Sequence, residues 1–198
     1  KLNVEDARQG TAAATKYKVF KLPTILYMKS DGSVVHTSGY MPPNEFATDM
    51  REAINVHKNF PVWEAKYKKS PQDSANTRIL AKTMLKAGRL IEAEQIADTL
   101  AKYAPNDSIL AEFYNALGRN YAMDGDVDKG KTLFKKALAK AKAPIDRAEA
   151  NFFMGICAMT KRDKAGATTY LKNAVAVPGV PPALKQKAQE ILDMLAKS

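Results

Sequence analysis

Three basic side chains, Arg78, Lys82 and Lys86, stand four residues apart. On a helix that spacing lays them along one stripe, and a stripe of cations can capture carboxylates. A charged face turned to water explains the same spacing, and both readings stay open at this level. Other candidates for chemistry are few. Cys157 is the single cysteine, which excludes an internal disulfide and a cysteine-based metal site. Set between Ile156 and Ala158, it reads as a buried structural thiol. His36 and His57 fall in different elements with no neighbouring ligand spacing, so no metal and no cofactor is expected. No paired carboxylates, nucleophile–base arrangement or phosphate-cradling glycine loop occurs, so no catalytic residue is assigned. Asn106-Asp107-Ser108 fits a glycosylation sequon, a triplet common by chance.

Composition narrows the class. An apolar fraction of 45% over 198 residues excludes general disorder, and no apolar run approaches the roughly 20 residues of a membrane span. The net charge of +10 is uneven: residues 1–59 carry 8 basic and 6 acidic side chains, and residues 60–198 carry 23 and 15. That excess is spread over many helices, without interleaved aromatics or a reading motif, so a nucleic-acid partner is not expected. The chain opens on Lys1, so a preceding segment is expected, and periplasmic, secreted and cytoplasmic placements all stay open.

The elements that must position the stripe are organised around Leu117–Asp126. Tyr114, Leu117, Gly118 and Tyr121 share a helix face at i, i+3, i+4, i+7. Gly118 allows close approach of a second helix, and Gly125 ends the first. Phe134, Ala137 and Leu138 form the packing face of the returning helix, with Tyr121 expected between the two. The same pattern recurs at a 37-residue interval, around Gly88 and around Arg162-Asp163. The first copy has Leu80, Ala81 and Met84, then Ala93, Ala97 and Leu100. The third has Met154, Gly155 and Ala158, then Ala167, Leu171 and Ala174.

This arrangement resembles the tetratricopeptide repeat, with small residues at the helix contact and a proline after each pair. Gly130 departs from it, where alanine is usual, and is expected to weaken the second helix locally. The resemblance implies a groove lined by each first helix. Starting the repeats at Ser74, Ala111 and Ala148, it places Arg78, Lys82 and Lys86 in the first groove segment. Asn115 and Arg119 fall in the second, and Phe152, Ile156 and Met159 in the third.

Upstream, the expected order is a strand at Lys1–Val4, a helix over Ala12–Val19, and a strand over Ile25–Met28. A turn at Ser30–Ser33 leads to a strand through Val34 and Val35. A helix capped by Asn44 follows, with Phe46, Met50, Ala53, Ile54 and His57 on one face. With Lys16-Tyr17-x-Val19, Leu22-Pro23-Thr24, Asp31-Gly32, Gly39-Tyr40 and Glu45-Phe46 in this order, the stretch resembles the last half of a thioredoxin. The resemblance implies a cis bond before Pro23 and substrate pairing at Leu22, Pro23 and Thr24. The family's Cys-x-x-Cys would lie upstream of Lys1 and is not in this chain, and Cys157 cannot replace a dithiol.

The expected architecture is therefore mostly α. Residues 1–58 form an incomplete α/β thioredoxin-like part, and 59–73 a connector with a short helix at Trp63–Lys68. Residues 74–180 form three tetratricopeptide-like hairpins in an all-α superhelix, and 181–198 a capping helix. The expected function is a protein-interaction adaptor for a protein or peptide with an acidic segment. The alternative is the remainder of a thiol–disulfide oxidoreductase with its dithiol upstream.

Overall fold

The computed structural model describes residues 10–17, 19 and 22–197. A short helix, α1 (Gly10–Lys16), precedes a hairpin of β1 (Thr24–Met28) and β2 (Val34–Gly39). The strand expected at Lys1–Val4 lies outside the described residues. Apolar, β-branched and aromatic side chains favour the strands. The turn is built by Asp31, whose Oδ1 accepts the Ser33 N–H at 2.8 Å, and by Gly32 at φ 83. The pairing is antiparallel, with Tyr27 opposite His36. The Leu22–Pro23 peptide is cis, the isomer that the thioredoxin resemblance implies.

Next comes α2 (Pro43–Lys69), 27 residues long. Proline at its first position is harmless, because that N–H has no intrahelical partner. The separate connector helix expected over Trp63–Lys68 is corrected: it is the last part of α2, which runs on through Pro61. An internal proline removes one backbone hydrogen bond. Phe60, Trp63 and Tyr67 offset this by packing on the repeat core, and the Tyr67 hydroxyl donates to Thr99 at 2.9 Å. The expected apolar face further up divides. Ala53 and Val56 are buried, while Phe46, Met50 and Ile54 stay exposed.

Three helical hairpins follow. The first pairs α3 (Ser74–Lys86) with α4 (Leu90–Tyr103), and the second α5 (Ile109–Met123) with α6 (Val127–Lys140). The third pairs α7 (Pro144–Thr160) with α8 (Lys164–Ala176), and α9 (Pro182–Lys197) closes the end. The repeat period is written in the backbone. Gly88, Gly125 and Arg162 occupy the three interhelix turns, all left-handed, at φ 71, 93 and 58. Asp126 and Asp163 then cap α6 and α8 by accepting the Lys129 and Gly166 N–H groups at 3.0 and 2.8 Å.

Within the second hairpin, a Cβ on Gly118 would meet the Phe134 ring at 2.7 Å; in the third, one on Gly155 would meet Leu171 at 2.8 Å. Gly130 is corrected from a weak point to a contact. A Cβ there would stand 2.9 Å from the Gly118 carbonyl oxygen, so the poor helix former is what lets the backbones close. Tyr121 is also corrected. It lies half-buried with the Lys129 ammonium 5.7 Å from its ring, because it sits beside the turn. Tyr114 takes the fully buried place and donates to Asp98 at 2.7 Å. One core runs through α3 to α7, and a smaller cluster joins α7, α8 and α9.

Candidate partner-binding face

The helical period brings the first helices α3, α5 and α7 side by side and sets their residues in rows. Arg78, Asn115 and Phe152 make one row, and Lys82, Arg119 and Ile156 another. The basic stripe of α3 is real, but two of its three members are already engaged. Arg78 holds Asp107 in an ion pair at 2.6 Å, with its Nε–H donating to the same oxygen at 2.7 Å. The Asp107 carboxylate is fully buried and also accepts the Ile109 N–H at 3.1 Å. Lys86 pairs with Glu52 of α2. Lys82 is exposed and has no counter-ion among the described residues.

On α5, Arg119 donates to Glu149 of α7 at 3.1 Å and lies over the Phe153 ring at 5.4 Å. That ring stacks on Phe134 and meets Phe152 edge-on. Asn115 is buried; its amide donates to the Asp146 carbonyl at 2.9 Å, while its Oδ1 lacks a partner. Burial raises the Asp146 carboxyl above the usual range, and Glu149 and Glu112 nearby add to the effect. The middle of this face is therefore mixed in charge.

The third segment is covered by the chain itself. Phe152 is 8% exposed and packs with Leu171, Ala174 and Ala188. Ile156 and Met159 join the same cluster, beside Leu184, Ile191, Leu192 and Leu195 of α9. Lys82 is thus the cation of this face without a counter-ion among the described residues, while Arg78, Lys86 and Arg119 each hold a carboxylate. Leu22, Pro23 and Thr24 lie elsewhere, at the entrance to the hairpin, where Leu22 is exposed and Thr24 pairs with Gly39.

Sequence reasoning missed Asp107 and Glu52, which hold Arg78 and Lys86 of the stripe, and Glu149, which holds Arg119. Asp107 had a signal, since an aspartate just before a helix is a capping residue. The others are one helix away with no local signature. A second missed cluster joins the hairpin to α2. His36, 1% exposed, is 2.8 Å from Asp49 Oδ1, and the Tyr27 hydroxyl donates to Asp49 Oδ2 at 2.6 Å. Burial alone would raise the Asp49 carboxyl, but the bonds from Tyr27 and His36 outweigh it and hold it at about 2. Ligand atoms of His36, Asp49 and Glu52 lie within 4.8 Å of one another. Tyr27 and Lys86 already donate to those carboxylates, which fits a structural clasp.

No family model matches the chain, and no curated protein does either. Solved structures do match in fold. One is the crystal structure of PcrH in complex with the chaperone binding region of PopD, at 19% identity and a TM-score of 0.50, covering 62% of this chain and 90% of that one. Another is the crystal structure of MamA protein, at 18% identity and a TM-score of 0.51, covering 78% of this chain and 81% of that one. The helical part of the chain is accordingly a tetratricopeptide-like repeat array. The thioredoxin resemblance finds no counterpart in these matches.

Proposed function

We propose that the chain is a protein-interaction module that docks a peptide or partner helix on the face of α3, α5 and α7. The observation that carries this is Lys82, an exposed cation without a counter-ion among the described residues, in one row with Arg119. Stacked helical repeats present an extended surface of this kind. The fold neighbour PcrH, in its crystal, holds the chaperone binding region of PopD. An occupant with a carboxylate near Lys82 fits that open charge, beside an Arg119 shared with Glu149, and the α9 cap moves its apolar anchors off Phe152 and Ile156.

In this reading residues 74–180 are the binding unit, 181–198 its cap, and 1–58 a thioredoxin-like surface. The order of β1, β2 and α2 favours that last assignment. The oxidoreductase alternative rests on the same resemblance and places its dithiol outside this chain.

The test is peptide selection on the immobilised chain, followed by fluorescence anisotropy of a selected peptide. Lys82→Glu with Arg119→Gln should abolish binding, the melt being followed alongside because the second change gives up the Arg119–Glu149 pair, and wild-type affinity should fall as salt screens the charges. Equal binding by the double variant would overturn the assignment of this face.

A further inference from the structure

A cleft of about 660 Å³ opens where the hairpin meets α2 and the turn between α3 and α4. That volume is in the range typical of small-molecule sites, which favour junctions between structural units. Its walls are mostly apolar, with Leu26 and Val35 from the strands, Val56 and Phe60 from α2, Leu85 and Leu90 from the first hairpin, and Tyr17, Thr24, Ser33, His57 and Asn120 adding polar groups. Two hydroxyls inside are already committed. Thr37 donates to the Lys86 carbonyl at 2.6 Å, and Thr83 to the Ile79 carbonyl at 2.9 Å.

The rim has the opposite character. Lys16, Lys29 and Arg89 line it, against one carboxylate, Asp124, among the described lining residues. Arg89 is held by Glu92 at 2.9 Å and lies over the Phe60 ring. Lys16 and Lys29 are exposed and make no ion pair among the described residues.

We propose that this cleft binds an amphipathic organic anion, an apolar body with one acidic head, the chemistry of a fatty carboxylate. The walls would take the body, and Lys16 and Lys29 the head. The cleft shares α3 and α5 with the proposed peptide face, but Lys82 and Arg119 are not among its lining residues.

Decanoate titrated into the intact chain and followed by ¹H–¹⁵N NMR tests this. Saturable shifts are expected at the Gly32, Ser33, Gly88 and Arg89 amides. Lys16→Glu with Lys29→Glu should weaken them about tenfold or more, equivalent to roughly 1.4 kcal/mol, with an unchanged melt. Decan-1-ol, which lacks the charge, should bind more weakly than decanoate. The proposal is overturned if those amides do not shift, or if shifts gather only along Phe46, Met50 and Ile54. Cleft shifts that titrate identically in the charge-reversed variant would overturn it equally.

Discussion

Gly118 faces Phe134 so closely that a single added carbon would stand 2.7 Å from the ring's Cε1. Phe134 is fully buried, so its ring has nowhere to retreat. Gly118→Ala gains helix propensity, by up to about 1 kcal/mol. It must also push the ring or the helix aside, an overpacking cost of typically 1–3 kcal/mol. The clash should win, lowering stability by about 1 kcal/mol in urea unfolding. Combining it with Phe134→Leu should recover part of that loss relative to the two single variants added. Strict additivity would show that the two positions do not press on each other.

Arg162 carries the same left-handed turn as Gly88 and Gly125, but with a side chain. For a non-glycine residue that conformation costs roughly 1–2 kcal/mol. Glycine removes the strain and returns part of it as unfolded-state entropy. Arg162→Gly should therefore stabilise the chain by about 0.5–1 kcal/mol, and Gly125→Ala should destabilise it. A lower melting temperature for Arg162→Gly would mean that the Arg162 side chain contributes more than its backbone costs.

This turn also shows what could be read in advance. The 37-residue period was legible because small residues and turn residues recur at fixed places, and the backbone repeats them. The hairpin was legible from Asp31-Gly32. Pro61 was misleading: local chemistry argues for a break, and only the burial of Phe60, Trp63 and Tyr67 against distant helices overrides it. The basic stripe was legible, but its neutralisation was not. Arg78 and Asp107 are 29 residues apart, and Lys86 and Glu52 are 34. Pairing across helices depends on packing angles that no local pattern encodes. The capping helix was legible, but that it packs on Phe152 and Ile156, residues expected in the groove, was not, for the same reason.

Asp49 makes acid stability predictable in sign. Its folded carboxyl is held at about 2, below the ordinary value of 3.8. The unfolded chain therefore takes up the proton first. The stabilisation is fully present above about pH 4 and is lost as pH falls through 2. It amounts to about 2 kcal/mol at most, by linkage. Asp49→Asn should lower stability at pH 7 and flatten the dependence between pH 4 and 2 in urea unfolding. A variant whose acid limb matches the wild type would show that the Tyr27–Asp49–His36 clasp does not control that range.

Asp107 connects stability to binding. Its buried carboxylate accepts the Ile109 N–H and holds Arg78, which is itself 45% exposed. Asp107→Ala loses both and leaves a cavity, so a cost of about 1–3 kcal/mol is expected. Arg78→Ala leaves that buried carboxylate without its cation, so it too should be destabilising. Asp107→Asn separates the two roles. The amide oxygen can still accept the Ile109 N–H, since asparagine serves as well as aspartate near a helix start. The charge that neutralises Arg78 is gone, and the guanidinium joins Lys82 as a cation without a carboxylate partner on this face. If the face of α3, α5 and α7 binds carboxylate-bearing peptides, Asp107→Asn should tighten a selected peptide several-fold at low salt, and the gain should shrink as salt rises. Unchanged or weaker binding, with the melt preserved, would show that Arg78 does not reach the occupant.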